Sequence, residues 1–160
     1  MDEPRLRHQV CFALYAASRA VTNTYRPLLE PLGLTYPQYL VLLVLWEQGE
    51  KSVKDLGAAL MLDSGTLSPL LKRLEAAGLI RRRRNANDER SVVVSLTDEG
   101  SHLRRRASQI PSSLAATTGM APAELSALRD TLTTLTAAVA AADSTPTPAP
   151  PAGIPRRATT

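Results

Sequence analysis

The chain has 160 residues, with 19 lysines and arginines against 15 aspartates and glutamates, one cysteine and two histidines. That length allows one domain with a real core, and a single cysteine excludes an internal disulfide. With only His8 and His102 beside Cys11, no zinc-ligand cluster is expected, and neither is any other cofactor. The longest apolar run, YLVLLVLW from Tyr39, is far shorter than the roughly 20 residues a membrane-spanning helix needs. The start MDEPRLRHQV lacks the apolar stretch of a secretory signal, so a cytoplasmic protein without a membrane partner is expected.

In chain order, apolar residues at Val10, Leu14, Ala17 and Val21 predict a helix over about 4–26, closed by Pro27. Thr35 followed by Gln38 reads as a capping box opening a second helix that Gly49 ends. Val53, Leu56 and Leu60 share one face of a short third helix. Asp63 or Ser64 caps a fourth, with a stripe of Leu67, Leu70, Leu71 and Leu74 ending at Gly78. Pro69 sits deep enough in this helix to leave its first boundary open. The period then changes to two: LIRRRR and RSVVVSLT read as strands joined by NANDE. Thr97 caps a fifth helix running to about Leu114, and a last helix spans about 121–142 from Pro122. Residues 143–160, rich in proline, are expected to be a disordered tail, leaving 1–142 as a single domain.

Helix, turn, helix and basic hairpin over about 52–96 give a winged helix-turn-helix, in a chain that is mainly α with a small β-hairpin. Between residues 64 and 90 seven basic residues face three acids, which accounts for the whole net charge of +4. Such a concentration is the footprint of a phosphate-binding surface. On the helix after Asp63 the leucine stripe faces the core, leaving Ser64, Thr66, Ser68, Lys72 and Arg73 toward DNA. On the wing, Arg82 and Arg84 share a face opposite Arg81 and Arg83 and are the two expected to reach DNA. Asp88 is placed to orient Arg90 toward a minor groove, or is simply a turn acid.

The stretch DERSVVVSLTDEG with the winged module, a long first helix and two C-terminal helices resembles the MarR family of bacterial transcription regulators. CFALYAASRAVTNTYRPLLEPLGLTYPQYLVLLVLWE and LDSGTLSPLLKRLEAAGLIRR are similar to its organic-hydroperoxide-sensing repressors, the OhrR group. The resemblance implies a homodimer joined by helices at about 4–26 and 97–142, set on a palindromic double-stranded operator with recognition helices about 34–36 Å apart.

Taken alone, Cys11 reads as a small core residue. At 100° per residue, however, Cys11, Tyr15 and Tyr25 share one helix face, while the axial gap from Cys11 to Tyr25 is about 21 Å. Tyr25 therefore cannot touch its own Cys11, but two antiparallel first helices would bring Tyr25 and Tyr36 of one subunit to Cys11 of the other. The resemblance implies that arrangement: Cys11 senses peroxide, Tyr25 and Tyr36 bond its thiolate across subunits, and Tyr15 lies nearby. It further implies the one-cysteine branch, in which the sulfenic acid condenses with a low-molecular-weight thiol and DNA is released. The rival readings are a MarR-type regulator that answers a phenolic ligand, a thiol peroxidase, and a DNA-coating protein. The reading chosen is a repressor and not an enzyme.

Overall fold

The computed structural model describes residues 5–85 and 88–143, without the side chains of 88–90, 113–114 and 143. The chain up to Thr118 forms one unit and the chain from Gly119 another. The expected tail, residues 143–160, lies outside the described residues apart from the backbone of Asp143.

The first unit opens with a 3-10 turn, Leu6–His8, before helix α1, Val10–Leu29. Sequence reading started this helix near Pro4 and closed it at Pro27, and both ends differ. Gln9 is extended (φ −88°, ψ 112°), so α1 begins one residue later, and the helix continues through Pro27. Pro27 forfeits only the hydrogen bond it would donate one turn back. Leu29, 1 % exposed, anchors the extra turn in the core. Gly33 (φ 68°) then reverses the chain, with the Leu34 N–H donating to the Leu29 carbonyl at 3.2 Å.

Helix α2, Tyr36–Gln48, begins where the capping box placed it. The Thr35 N–H donates to Gln38 Oε1 at 2.8 Å, and Gly49 at φ 72° ends the helix. Tyr39, Val41, Leu42 and Leu45 are all buried, so α2 is the central core helix of this unit. Strand β1, Lys51–Ser52, is an addition: two residues carry no readable alternation, and it exists because it pairs with a later strand, Lys51 opposite Val94. Ser52 also caps helix α3, Val53–Leu60, by accepting the Asp55 N–H at 3.0 Å.

Helix α4, Ser64–Ala76, is capped by Asp63, settling the choice between Asp63 and Ser64. Pro69 lies inside it without breaking it. Leu67, Leu71 and Leu74 are at most 1 % exposed while Leu70 is half-buried, so most of the stripe faces the core as read. Each such burial contributes on the order of 1.5–3 kcal/mol.

Strands β2, Ile80–Asn85, and β3, Asp88–Leu96, form the hairpin of a sheet ordered β1-β3-β2. The ladder reaches further than expected: Asn85, Asp88 and Glu89, read as loop, are strand residues, with Asn85 opposite Asp88 after a register shift at Arg84/Asn85. Thr97 caps helix α5, Asp98–Ala107, by accepting the Gly100 N–H at 3.0 Å. The single helix expected to about Leu114 is broken, because Pro111 has no N–H for the Ala107 carbonyl; helix α6, Ile110–Thr118, follows. The second unit contains helix α7, Pro122–Asp143, close to its expected span.

Candidate nucleic-acid interface and thiol site

Ser64, Thr66, Ser68, Lys72 and Arg73 all lie exposed on α4, opposite its buried leucines. Thr66 is partly committed: its N–H and hydroxyl donate to the two carboxylate oxygens of Asp63, at 2.9 and 2.8 Å. Those bonds, the hydroxyl's foremost, hold the Asp63 carboxyl below its ordinary pKa. The carboxylate therefore stays ionised at the N-terminus of α4, where the helix dipole favours it.

The arginines of β2 are exposed but not equivalent. Arg82 Nε donates to Glu75 at 2.8 Å, and its Nη2 and backbone N–H donate to the same carboxylate. Arg83 Nη2 reaches Glu50 at 2.7 Å. Arg81 and Arg84 make no ion pair among the described residues. Asp88 and Arg90 are placed on β3 by their backbones, and their side chains lie outside the description.

Cys11, the second residue of α1, is exposed. One turn on, the Tyr15 hydroxyl accepts from Arg19 Nη1 at 2.9 Å, with the guanidinium 5.6 Å from the ring centroid. Tyr25 and Tyr36 come together with ring centroids 4.5 Å apart, and Tyr39 stands 6.0 Å from Tyr25. Because α1 is unbroken between Cys11 and Tyr25, the axial separation of about 21 Å holds. Burial, then the neighbouring phenols of Tyr36 and Tyr39, pushes the Tyr25 pKa up to about 12. Burial also raises Tyr36 and Tyr39. These phenols stay protonated at neutral pH and remain hydrogen-bond donors.

Since the folded value of Tyr25 exceeds the unfolded value near 10, its contribution to stability is full below pH 10 and is lost as pH rises toward about 12. Phenolate absorbance should therefore show the parent-minus-Tyr25→Phe difference titrating near 12; a difference titrating at 10 or below contradicts the packed cluster.

Sequence reading missed Tyr39, although its three-residue spacing from Tyr36 puts both on one side of α2. Arg19, four residues after Tyr15, carried the same kind of signal. The roles of Glu50 and Glu75 carried none, because their partners lie across tertiary contacts.

Residues 23–106 match the family described as "Transcriptional regulator SarA/Rot". Over 134 residues the chain is 48 % identical to the organic hydroperoxide resistance transcriptional regulator of Bacillus subtilis (strain 168), covering 84 % of this chain and 91 % of that one. The chain belongs to the OhrR group of MarR-type transcriptional regulators. This OhrR-type chain is also 52 % identical over 135 residues to the HTH-type transcriptional regulator TtmR of Methylorubrum extorquens (strain PA1), covering 84 % of this chain and 69 % of that relative. Its structure is similar to reduced AbfR of Staphylococcus epidermidis bound to DNA, with a TM-score of 0.72, 33 % identity and coverage of 84 % and 94 %. The relatives are regulators, and OhrR-type membership makes this chain a regulator and not an enzyme. Among its described residues no single helix is long and apolar enough to cross a membrane.

Proposed function

We propose that this OhrR-type regulator is a cytoplasmic, homodimeric repressor of residues 1–142 that grips a palindromic operator and lets go when an organic hydroperoxide oxidises Cys11. The observation that carries the reading is the separation within α1: Cys11 is exposed at one end, and the protonated Tyr25–Tyr36 pair sits packed at the other, beyond its reach. Those donors suit a thiolate, and only a second subunit can offer it. Dimerisation through the outer helices is supported by exposed apolar residues: Leu6, Val10, Phe12 and Tyr15 around the start of α1, and Leu128, Leu135 and Val139 on α7.

Operator contact falls to Ser64, Thr66, Ser68, Lys72 and Arg73 on α4, with Arg84, Asp88 and Arg90 on the wing. The Cys11 thiolate attacks the terminal peroxide oxygen, the O–O bond breaks, and the alkoxide takes a proton to leave as an alcohol. Sulfur is oxidised to the sulfenic acid, which condenses with a low-molecular-weight thiol to a mixed disulfide and water. The bulk of the disulfide displaces Tyr25, on α1, and Tyr36, at the start of α2, which reorients the winged modules and releases DNA.

The test is selection of tight-binding duplexes from a random pool, followed by titration of the selected DNA. An inverted repeat bound by two chains, and released on adding cumene hydroperoxide with a small thiol, is the expected result. Unselective binding, or release by a phenolic acid and not by peroxide, would overturn the reading.

A further inference from the structure

We propose that Glu75 and Arg82 form a positioning pair that sets the wing relative to α4, and that Arg82 is not itself a phosphate contact. This rests on the DNA-binding reading above and departs from the sequence expectation at one residue, Arg82, which shares its face with Arg84.

A single carboxylate takes three bonds from Arg82: the backbone N–H at 3.1 Å, Nε at 2.8 Å, and Nη2. A phosphate is best held by the paired Nε–Nη2 edge of a guanidinium, and in Arg82 that edge is taken by Glu75, leaving only the Nη1 side open. The backbone bond is independent of charge. β2 is an edge strand of the sheet, and the Arg82 N–H on it donates to Glu75.

The two side chains are 31 % and 36 % exposed, against 55 % and 54 % for Arg83 and Glu50. The inner pair is thus the better shielded from solvent and salt. Glu75 also lies in the last turn of α4, where the negative end of the helix disfavours a carboxylate. Its place is explained by what it holds and not by the helix. Two residues further along the same face, Arg84 has no ion pair among the described residues, and the proposal gives it the phosphate contact.

Leu79 and Ile80, both buried, hold the base of β2 whether or not the pair is present. Its loss should therefore loosen the wing without unfolding the module, since exposed ion pairs add little to stability.

The experiment measures affinity of the full-length protein for duplex that the wild type binds, over a salt series. Arg82→Gln and Glu75→Gln should each weaken binding about tenfold, and the double variant by the same factor and not its square. Glu75→Gln should weaken binding even though it removes a negative charge from the protein. Arg82→Gln should leave the slope of log affinity against log salt unchanged. Arg84→Gln should reduce that slope by about 1.8 for a dimer, at roughly 0.9 per phosphate contact. Melting of the free variants should stay close to that of the wild type.

Tighter binding by Glu75→Gln, a reduced salt slope for Arg82→Gln, or unchanged affinity in both single variants would overturn the proposal. If the wild type binds no duplex, it is the DNA-binding reading that fails.

Discussion

Cys11→Ser should bind the operator as the wild type does and stay bound when an organic hydroperoxide and a small thiol are added. Under the same treatment the wild type should lose about 5- to 150-fold in affinity, the usual range of coupling between two sites. The asymmetry follows from the chemistry: a thiolate attacks a peroxide oxygen, and a serine hydroxyl at neutral pH does not. Folding of the subunit is not at stake, because residue 11 is exposed in the single chain, and serine keeps a hydroxyl where the sulfur stood. Fluorescence anisotropy of labelled operator reads both quantities in one titration. Release of Cys11→Ser by peroxide, to the same extent as the wild type, would remove the cysteine from the account.

The largest effect on stability is expected at Gly100, where helix α5 passes close to the Leu79 backbone. A Cβ there would stand 2.0 Å from the Leu79 carbonyl oxygen and 3.0 Å from its carbon, with Leu96 Cδ2 at 3.3 Å. Helix α5 cannot back away from Leu79 freely. The Gly100 carbonyl accepts Trp46 Nε1 at 2.8 Å, its N–H donates to Thr97, and the Thr97 hydroxyl donates to the Gly78 carbonyl at 2.6 Å. Moving the backbone apart breaks bonds that tie α2 and the end of α4 to α5. Gly100→Ala should therefore cost about 3 kcal/mol, the upper part of the range for overpacking, and more if the tie to Trp46 is lost. Urea unfolding followed by the fluorescence of Trp46, the chain's single tryptophan, measures it directly. Ser101→Ala, one residue on and exposed, serves as the control. A Gly100→Ala midpoint equal to that of the wild type would contradict the close approach.

Local chemistry made much of the fold legible. Thr35 with Gln38, Asp63 and Thr97 are polar groups that satisfy helix N-termini within three residues, so each boundary is written where it occurs. The leucines of α4 state their buried face in the same way. What escaped reading depends on partners distant in sequence. β1 is a strand only because Val93 and Val94 lie beside it. Pro27 is tolerated only because Leu29 finds the core beyond it.

The candidate site divides similarly. Cys11, Tyr15 and Tyr25 could be set on one face by arithmetic. That Tyr25 would pack against Tyr36 and Tyr39, or that Glu75 would hold Arg82, required the chain to be folded first.

The central claim is that each thiol is served by the tyrosines of the other subunit, and a mixed dimer tests it most directly. One subunit carries Cys11→Ser with its tyrosines intact; the other keeps Cys11 but carries Tyr25→Phe and Tyr36→Phe. The only thiol then faces intact phenols across the interface and mutated ones within its own chain. The account predicts that this thiol reacts with cumene hydroperoxide at the wild-type rate per site. A rate as slow as that of the Tyr25→Phe, Tyr36→Phe homodimer would contradict it.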